Sequence, residues 1–385
     1  MKYYFYKSTN MKQFYILMIT LLMGLSANAE ETGTCGPNLK WKLTDDGVLT
    51  ITGTGQMEDY NDTYKENPWY DKNVKQVIIA DGVTTIGKDA FKECTKLTSI
   101  NIPNSVTAIG YMAFYRCEAL KSINIPNGVT IIGYQTFYNC NRLTSINIPN
   151  SVTTIGYLAF QGCKALKSIN IPNSVTTIGS SAFSSCTTLK SINIPNRVTT
   201  IGHAAFSSCT RLKSINIPNS VTTIDDFAFS YCYKLKQVDI PNSVTTLCEG
   251  LLKSCSSLES IRIHKDVVEI EESVFDGCTK LTNISCEATT PPTCGTDAFK
   301  SVDKSNCKLF VPQASVDAYK IANEWKDFSY IEAATGITNN VYNKTELVDV
   351  YTIDGTKRLS KASKEEMNTL PKGVYIVNGK KLVIK

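Results

Sequence analysis

The sequence is poor in the residues that catalysis and metal binding draw on most. Its 385 residues include two histidines, His203 and His264, and three tryptophans. No metal-ligand cluster, no Gly-rich phosphate loop and no Ser-His-Asp arrangement is visible. The G-x-G at Gly53 is followed by neither a helix nor Gly-Lys-Ser, so it is not a phosphate loop. These absences predict a protein that is not an enzyme and uses no cofactor and no metal. Net charge is also low. The chain is formally +5, and residues 1–29 hold Lys2, Lys7 and Lys12 with no acid. Without them 40 − 3 = 37 bases face 35 acids, a balance of +2. So small an excess argues against a general nucleic-acid or anionic-membrane binder. Past residue 29 nothing is apolar enough to span a bilayer, so no transmembrane segment is expected in the mature chain.

What the chain has is one phrase repeated. Cysteine recurs at Cys94, Cys117, Cys140, Cys163, Cys186, Cys209, Cys232, Cys255 and Cys278, each step being 23 residues. Phenylalanine recurs three residues earlier, from Phe91 to Phe275, with Leu252 filling one gap, and leucine three residues later, from Leu97 to Leu281. A fixed period in the twenties predicts a solenoid whose coils bury their apolar side chains against one another. In Leu97-Thr-Ser-Ile100-Asn-Ile102 the apolar and polar residues alternate as in a strand. Leu97, Ile100, Ile102, Val106, Ile109, Ala113, Phe114 and Cys117 are then the inward side of one coil. Pro103 stops the strand, because proline donates no backbone hydrogen bond. Gly110 permits a corner, and A-F-x-x-C reads as a short helical or irregular turn. The histidines lie 264 − 203 = 61 positions apart. At a coil spacing of ~4.8 Å they stand at least ~13 Å apart and cannot share a metal.

The L-x-x-I-x-I start and the I-P-N-S-V-T-x-I-G-x-x-A-F-x-x-C continuation resemble the BspA-like class of bacterial leucine-rich-repeat surface proteins. That resemblance implies a mainly β repeat solenoid, a right-handed leucine-rich-repeat-like coil, with short helical or irregular turns. It covers residues 74–286. Residues 30–73 read as an N-terminal cap. Trp41 to Leu43 and Val48 to Ile51 alternate like strands around Asp45-Asp46-Gly47, and C-G-P-N-L-K-W-K-L-T-D-D-G-V-L-T-I-T-G-T-G-Q-M resembles the lead-in of the class. Trp69 falls beside the position 23 residues before Phe91 and is expected to plug that end of the stack. Residues 287–333 resemble the C-terminal cap of the same class, in T-P-P, L-x-V-P and a helix ending in W-x-x-F.

The two ends carry their own signals. Residues 1–29 read as a signal peptide, with Lys7 and Lys12 before the apolar run from Phe14 to Leu25 and an A-x-A site at Ala27-Asn-Ala29. The mature protein is then expected outside the cell or on its outer surface. A polar linker, 334–344, leads to a small C-terminal β-module, 345–385. There Val348 to Tyr351 reads as a strand, Asp354-Gly355 as a turn, and 373–384 as a hairpin around Asn378-Gly379. V-Y-T-I-D-G, L-P-K-G-V-Y-I-V and K-K-L-V-I-K resemble the C-terminal sorting domain of type IX secretion. A plain β-module with no sorting role is the other reading.

Fourteen cysteines would ordinarily suggest a disulfide scaffold. Nine of them sit on the repeat, where parallel side chains favour buried thiols that behave as small apolar residues. Cys294 and Cys307, off the ladder, are the disulfide candidates. Two surface files are the binding candidates. Along the strands lie Asn124, Asn147, Asn170 and Asn193, flanked by Lys121, Lys167, Lys190 and Lys213, an amide-and-ammonium array suited to an acidic or polyhydroxylated partner. After the corner glycine and after the phenylalanine lie Tyr111, Tyr134, Tyr157, Tyr115 and Tyr138, aromatics on adjacent coils. Each file also has a purely structural reading, as a solvated face or as stacking that stiffens the scaffold. The partner is expected to be a protein or a glycan at the cell surface. The favoured function is adhesin-like recognition of a host matrix protein or another cell; a structural envelope component and a glycan-binding accessory are the alternatives.

Overall fold

The computed structural model describes residues 30–61, 66–334, 348–352, 356–362, 370–371, 373–377 and 380–384. The expected signal peptide, the linker beyond Ala334 and the turns at Asp354-Gly355 and Asn378-Gly379 lie outside the described residues. The chain divides into two compact units at Glu332/Ala333.

The first unit is a mainly β solenoid, and its register is the period of the sequence. Ser122–Asn124 pairs in parallel with Ser145–Asn147, Ile123 opposite Ile146 and Asn124 opposite Asn147. Ser191–Asn193 pairs with Ser214–Asn216 in the same way. Each partner lies 23 residues away, so a one-residue slip would carry every buried isoleucine to the surface. A second parallel ladder, not anticipated from the sequence, runs along Val-Thr-Thr-Ile. Thr154 pairs with Thr177 and Thr177 with Thr200, with Ile155, Ile178 and Ile201 buried beside them. The first ladder is not one continuous sheet. Residues 168–170 and 237–238 lie outside named strands, so the strand face falls into several short sheets.

The A-F-x-x-C segment is a run of tight turns, not a helix. Two residues in each coil are left-handed, such as Leu158 (φ 59°) with Gly162 (φ 74°), and Ser181 (φ 55°) with Ser185 (φ 60°). For a residue other than glycine that conformation costs about 1–2 kcal/mol. The hydrogen bonds explain why it is held. The N–H groups of Leu158, Phe160 and Gly162 donate to Ser180 O, Ala182 O and Ser184 O of the next coil at 3.0, 2.8 and 2.8 Å. The alternate N–H groups of Ala159, Gln161 and Cys163 close turns within their own coil. Every N–H of the segment is thereby satisfied between coils or within one, as burial demands. At Gly179 the corner glycine answers a close approach between coils. A Cβ on Gly179 would stand 2.8 Å from the carbonyl carbon of Gly156.

Inside, the phenylalanines form one column. Phe114 and Phe137 stack at 5.3 Å between centroids with parallel rings, and Phe137, Phe160, Phe183 and Phe206 continue at 5.3–5.4 Å. Trp69 extends the column, stacked on Phe91 at 5.6 Å and donating Nε1–H to Ala90 O at 2.8 Å. It is not the last ring, because Trp41 and Tyr60 pack edge-on against it. At the other end Phe299 meets Trp325 at 5.1 Å, and the indole N–H of Trp325 donates to Pro292 O at 2.9 Å. The helix expected before W-x-x-F is broken into Gln313–Ser315, Val316–Tyr319 and Trp325–Asp327, with Glu324 left-handed at φ 65° between the last two. No described helix is long and apolar enough to cross a membrane.

The second unit is a four-stranded antiparallel sheet in the order Lys357–Ala362, Val348–Thr352, Gly373–Val377, Lys380–Ile384. The first of these was not visible in the sequence. Val377 lies opposite Lys380 in the expected hairpin. Among the described residues Val350 and Tyr375 are buried.

Candidate functional site

The strand face is built from the outward positions of Leu-x-x-Ile-x-Ile. Because Leu, Ile and Ile point inward, Lys121, Lys167, Lys190 and Lys213 are exposed beside the leucines, and Asn124, Asn147, Asn170 and Asn193 are exposed between the isoleucines. A third file, the serines of S-I-N such as Ser191 and Ser214, is exposed between them and was missed from the sequence. Backbone bonds hold the lysines in column, with Lys190 N–H donating to Lys167 O at 3.2 Å and Lys213 N–H to Lys190 O at 2.9 Å. The asparagine file is partly self-bonded: Asn216 Nδ2 donates to Asn193 Oδ1 at 3.0 Å. Toward the C-terminal end the charges are matched. Lys236 pairs with Glu259 at 2.9 Å, and Arg262 forks onto both oxygens of Glu287 at 2.7 Å.

The tyrosines form the second candidate surface, on adjacent coils as expected. Tyr111, Tyr134 and Tyr157 are exposed, and their rings contact one another. Tyr134 stacks on Tyr157 at 5.6 Å, and Tyr111 meets Tyr134 edge to face at 6.4 Å. Tyr115 and Tyr138 are half-buried and stacked at 4.9 Å, with the Lys92 ammonium over the Tyr115 ring. The stacked faces of Tyr134 and Tyr157 are turned to each other, while Tyr111 and Tyr157 remain 57% and 50% exposed.

All fourteen cysteines are free, the candidate pair Cys294 and Cys307 among them. The ladder thiols do more than fill space. Cys140 Sγ donates to Phe114 O at 3.2 Å and Cys163 Sγ to Phe137 O at 3.2 Å, each reaching the preceding coil. Burial pushes the Cys94, Cys209 and Cys278 thiols up to about 12, which keeps them protonated and inert.

The description "BspA type Leucine rich repeat region" matches residues 63–190, 176–308 and 249–367, in six copies. The chain belongs to the BspA-type leucine-rich-repeat family. Among solved structures it is similar to a leucine-rich repeat protein from Bacteroides ovatus, 29% identical over 77% of this chain and 76% of that one, with a TM-score of 0.59. A leucine-rich repeat protein from Eubacterium ventriosum is 27% identical over 82% and 98%, with a TM-score of 0.47. A leucine rich cell surface protein from Faecalibacterium prausnitzii is 26% identical over 80% and 96%, with a TM-score of 0.42. Among curated proteins none matches.

Against the regular BspA-type coil, the departures stand out. His264 replaces proline and is buried; its Nε2 lies 2.7 Å from Val244 O, and its Nδ1 accepts the Asp266 N–H at 3.2 Å. Both ring nitrogens are used in holding the turn that proline shapes elsewhere. His203 is exposed and packs edge-on against Phe227. The corner glycine gives way to Asp225, Cys248 and Glu271 in three successive coils. This brings one ligand-type atom each from Asp226, Cys248 and Glu271 within 4.8 Å of one another. Glu271 already accepts the Glu249 N–H at 2.8 Å, and burial with the nearby carboxylates pushes the Cys248 thiol up to about 11. The loss of three consecutive glycines was the sequence signal for this acidic corner.

Proposed function

We propose that this BspA-type protein is exported to the cell surface and acts there as an adhesin-like recognition protein, attaching the cell to host matrix or to another cell through the strand face. The observation that carries the reading is the strand face itself: three exposed polar files repeated coil after coil on a rigid, well-packed scaffold. Leucine-rich-repeat solenoids are recognition scaffolds, and their extended faces are what partners contact. The mutual stacking of the tyrosines turns the choice of surface away from them. The test is attachment of the purified chain to immobilised matrix proteins and to whole cells. Saturable binding that Lys167→Glu/Lys190→Glu reduces is expected. Attachment to none of them would leave a structural envelope role in its place.

Export is the second part of the same reading. The signal-peptide pattern at 1–29 directs the chain out of the cytoplasm, and the C-terminal unit acts as a type IX sorting domain. Deleting 345–385 is expected to leave the repeat domain in the periplasm. Normal surface display of that truncation, followed by antibody labelling of intact cells, would remove the sorting role.

A further inference from the structure

The small net charge of the chain conceals a segregation of charge along the coils. Between Glu118 and Asp225 there is no Asp or Glu at all, and there are eight Lys or Arg, so this block carries 8 − 0 = +8. Residues 225–287, which follow it, hold six bases and eleven acids, 6 − 11 = −5. On the strand face of the basic block, Lys167, Lys190 and Lys213 occupy three successive coils. None of the three has a carboxylate within ion-pairing distance among the described residues, whereas Lys236 in the following coil is matched by Glu259. Like charges set directly opposite one another on paired strands are mutually repulsive. The column therefore stands as an uncompensated row of ammonium groups.

From this we infer that the basic block binds a linear acidic polysaccharide, a chain of 1,4-linked uronate or sulfated sugars lying along the stack. The inference rests on the adhesin-like reading and names the ligand class for the strand face. Three observations select a polysaccharide over other polyanions. First, every exposed residue of the strand segments in these coils is polar: lysine, serine and asparagine. Protein interfaces are centred as a rule on apolar or aromatic anchors, and the segments offer none. Second, no aromatic interrupts the lysine and asparagine files, so unpaired nucleic-acid bases have nothing to stack on. Third, the spacing fits. Parallel strands repeat every ~4.8 Å, and a 1,4-linked pyranose chain advances by a comparable step per ring. One acidic sugar per coil sets each carboxylate or sulfate against one of the lysines. The amides of Asn170, Asn193 and Asn216 and the intervening serine hydroxyls meet the ring hydroxyls, because amides and hydroxyls both donate and accept.

The experiment measures binding of the full chain to polygalacturonate oligomers of increasing length, with a neutral galactan of matched length and oligo-dT as comparisons. Expected results are clear binding to polygalacturonate and none to galactan. Affinity should rise with oligomer length until three rings are spanned. It should fall about tenfold or more as salt rises from roughly 0.05 to 0.3 M, because exposed charges are screened. Lys167→Gln/Lys190→Gln/Lys213→Gln removes the binding, while Lys265→Gln, outside the block, leaves it. The glutamines relieve repulsion in the column, and a thermal melt no lower than that of the unsubstituted chain verifies that the variant folds. No preference for polygalacturonate over galactan, equal binding to oligo-dT, or full binding by the triple variant would each overturn the inference. Attachment to matrix proteins or cells that persists when polygalacturonate fails would overturn the ligand class alone and leave the adhesin-like reading standing.

Discussion

Phe160 shows what a single side chain does in this scaffold. It is fully buried and stacked on both faces, 5.4 Å from Phe137 and 5.3 Å from Phe183. Phe160→Ala therefore removes two ring contacts and leaves a cavity that neighbouring coils, fixed by their hydrogen-bond ladders, cannot collapse into. The expected cost is about 3–5 kcal/mol, read from chemical denaturation. A loss below about 1 kcal/mol would place Phe160 outside the core. The thiols next to the column make stability depend on alkaline pH. Cys94, Cys209 and Cys278 are raised by burial from 9.0 to about 12. Between those values the folded chain holds protons that the unfolded chain has released, so stability is full below pH 9 and falls as pH rises towards 12. Each thiol contributes at most about 1.4 kcal/mol per pH unit. Denaturation midpoints measured at about pH 8, 9 and 10 should drop beyond 9, with a shallower drop in Cys209→Ala. A flat profile would mean that the thiols ionise freely in the folded state.

The coil is the element, and its one irregular aromatic position tests how strictly the coils must match. Leu252 stands where the other coils carry phenylalanine, and beside it Leu251 stands where most carry alanine. Both leucines are fully buried. A smaller side chain at one position is accompanied by a larger one at the next. Leu252→Phe alone should overpack the coil and cost about 1–3 kcal/mol. Leu251→Ala alone should open a cavity and cost about 2–5 kcal/mol. Together they should restore the regular pair and recover most of both losses, a coupling that a double-mutant cycle measures directly. Strictly additive losses would show that the two positions do not share one space. The same coil shows how much of the fold was written openly. The period of 23, the stacked phenylalanines and the strand at Leu-x-x-Ile-x-Ile are legible because each rests on side-chain pattern. The second ladder was not, because two paired residues such as Thr154 and Ile155 are too short to display an alternation. The left-handed positions were not legible either. Met112, Leu158 and Phe227 have no preference for that conformation; the inter-coil hydrogen bonds impose it. Only Gly162, Gly250 and Gly277 hinted at it.

Across the whole chain the separation of charge was present in the sequence but invisible to its total, since a +8 block and a −5 block cancel in any sum. The candidate files of lysine, asparagine and tyrosine could be placed from register alone. What register could not give was the direction of the tyrosine rings, or the carboxylate partner that Lys236 has and Lys190 lacks, because both depend on the conformations of long side chains. These details separate two modes of attachment by their response to salt. Contact through Lys167 and Lys190 is made by exposed charges, screened over about 8 Å at physiological ionic strength. Contact through Tyr134 and Tyr157 would be made by ring edges and hydroxyls and would change little with salt. Attachment of the chain to cells or matrix should therefore weaken steeply as salt rises. Lys167→Glu/Lys190→Glu should reduce it, and Tyr134→Ala/Tyr157→Ala should leave it nearly intact. The opposite pattern, salt-independent attachment lost only in the tyrosine variant, would move the contact to the corner of the coils. The partner would then meet ring edges and hydroxyls with the Tyr134–Tyr157 stack intact.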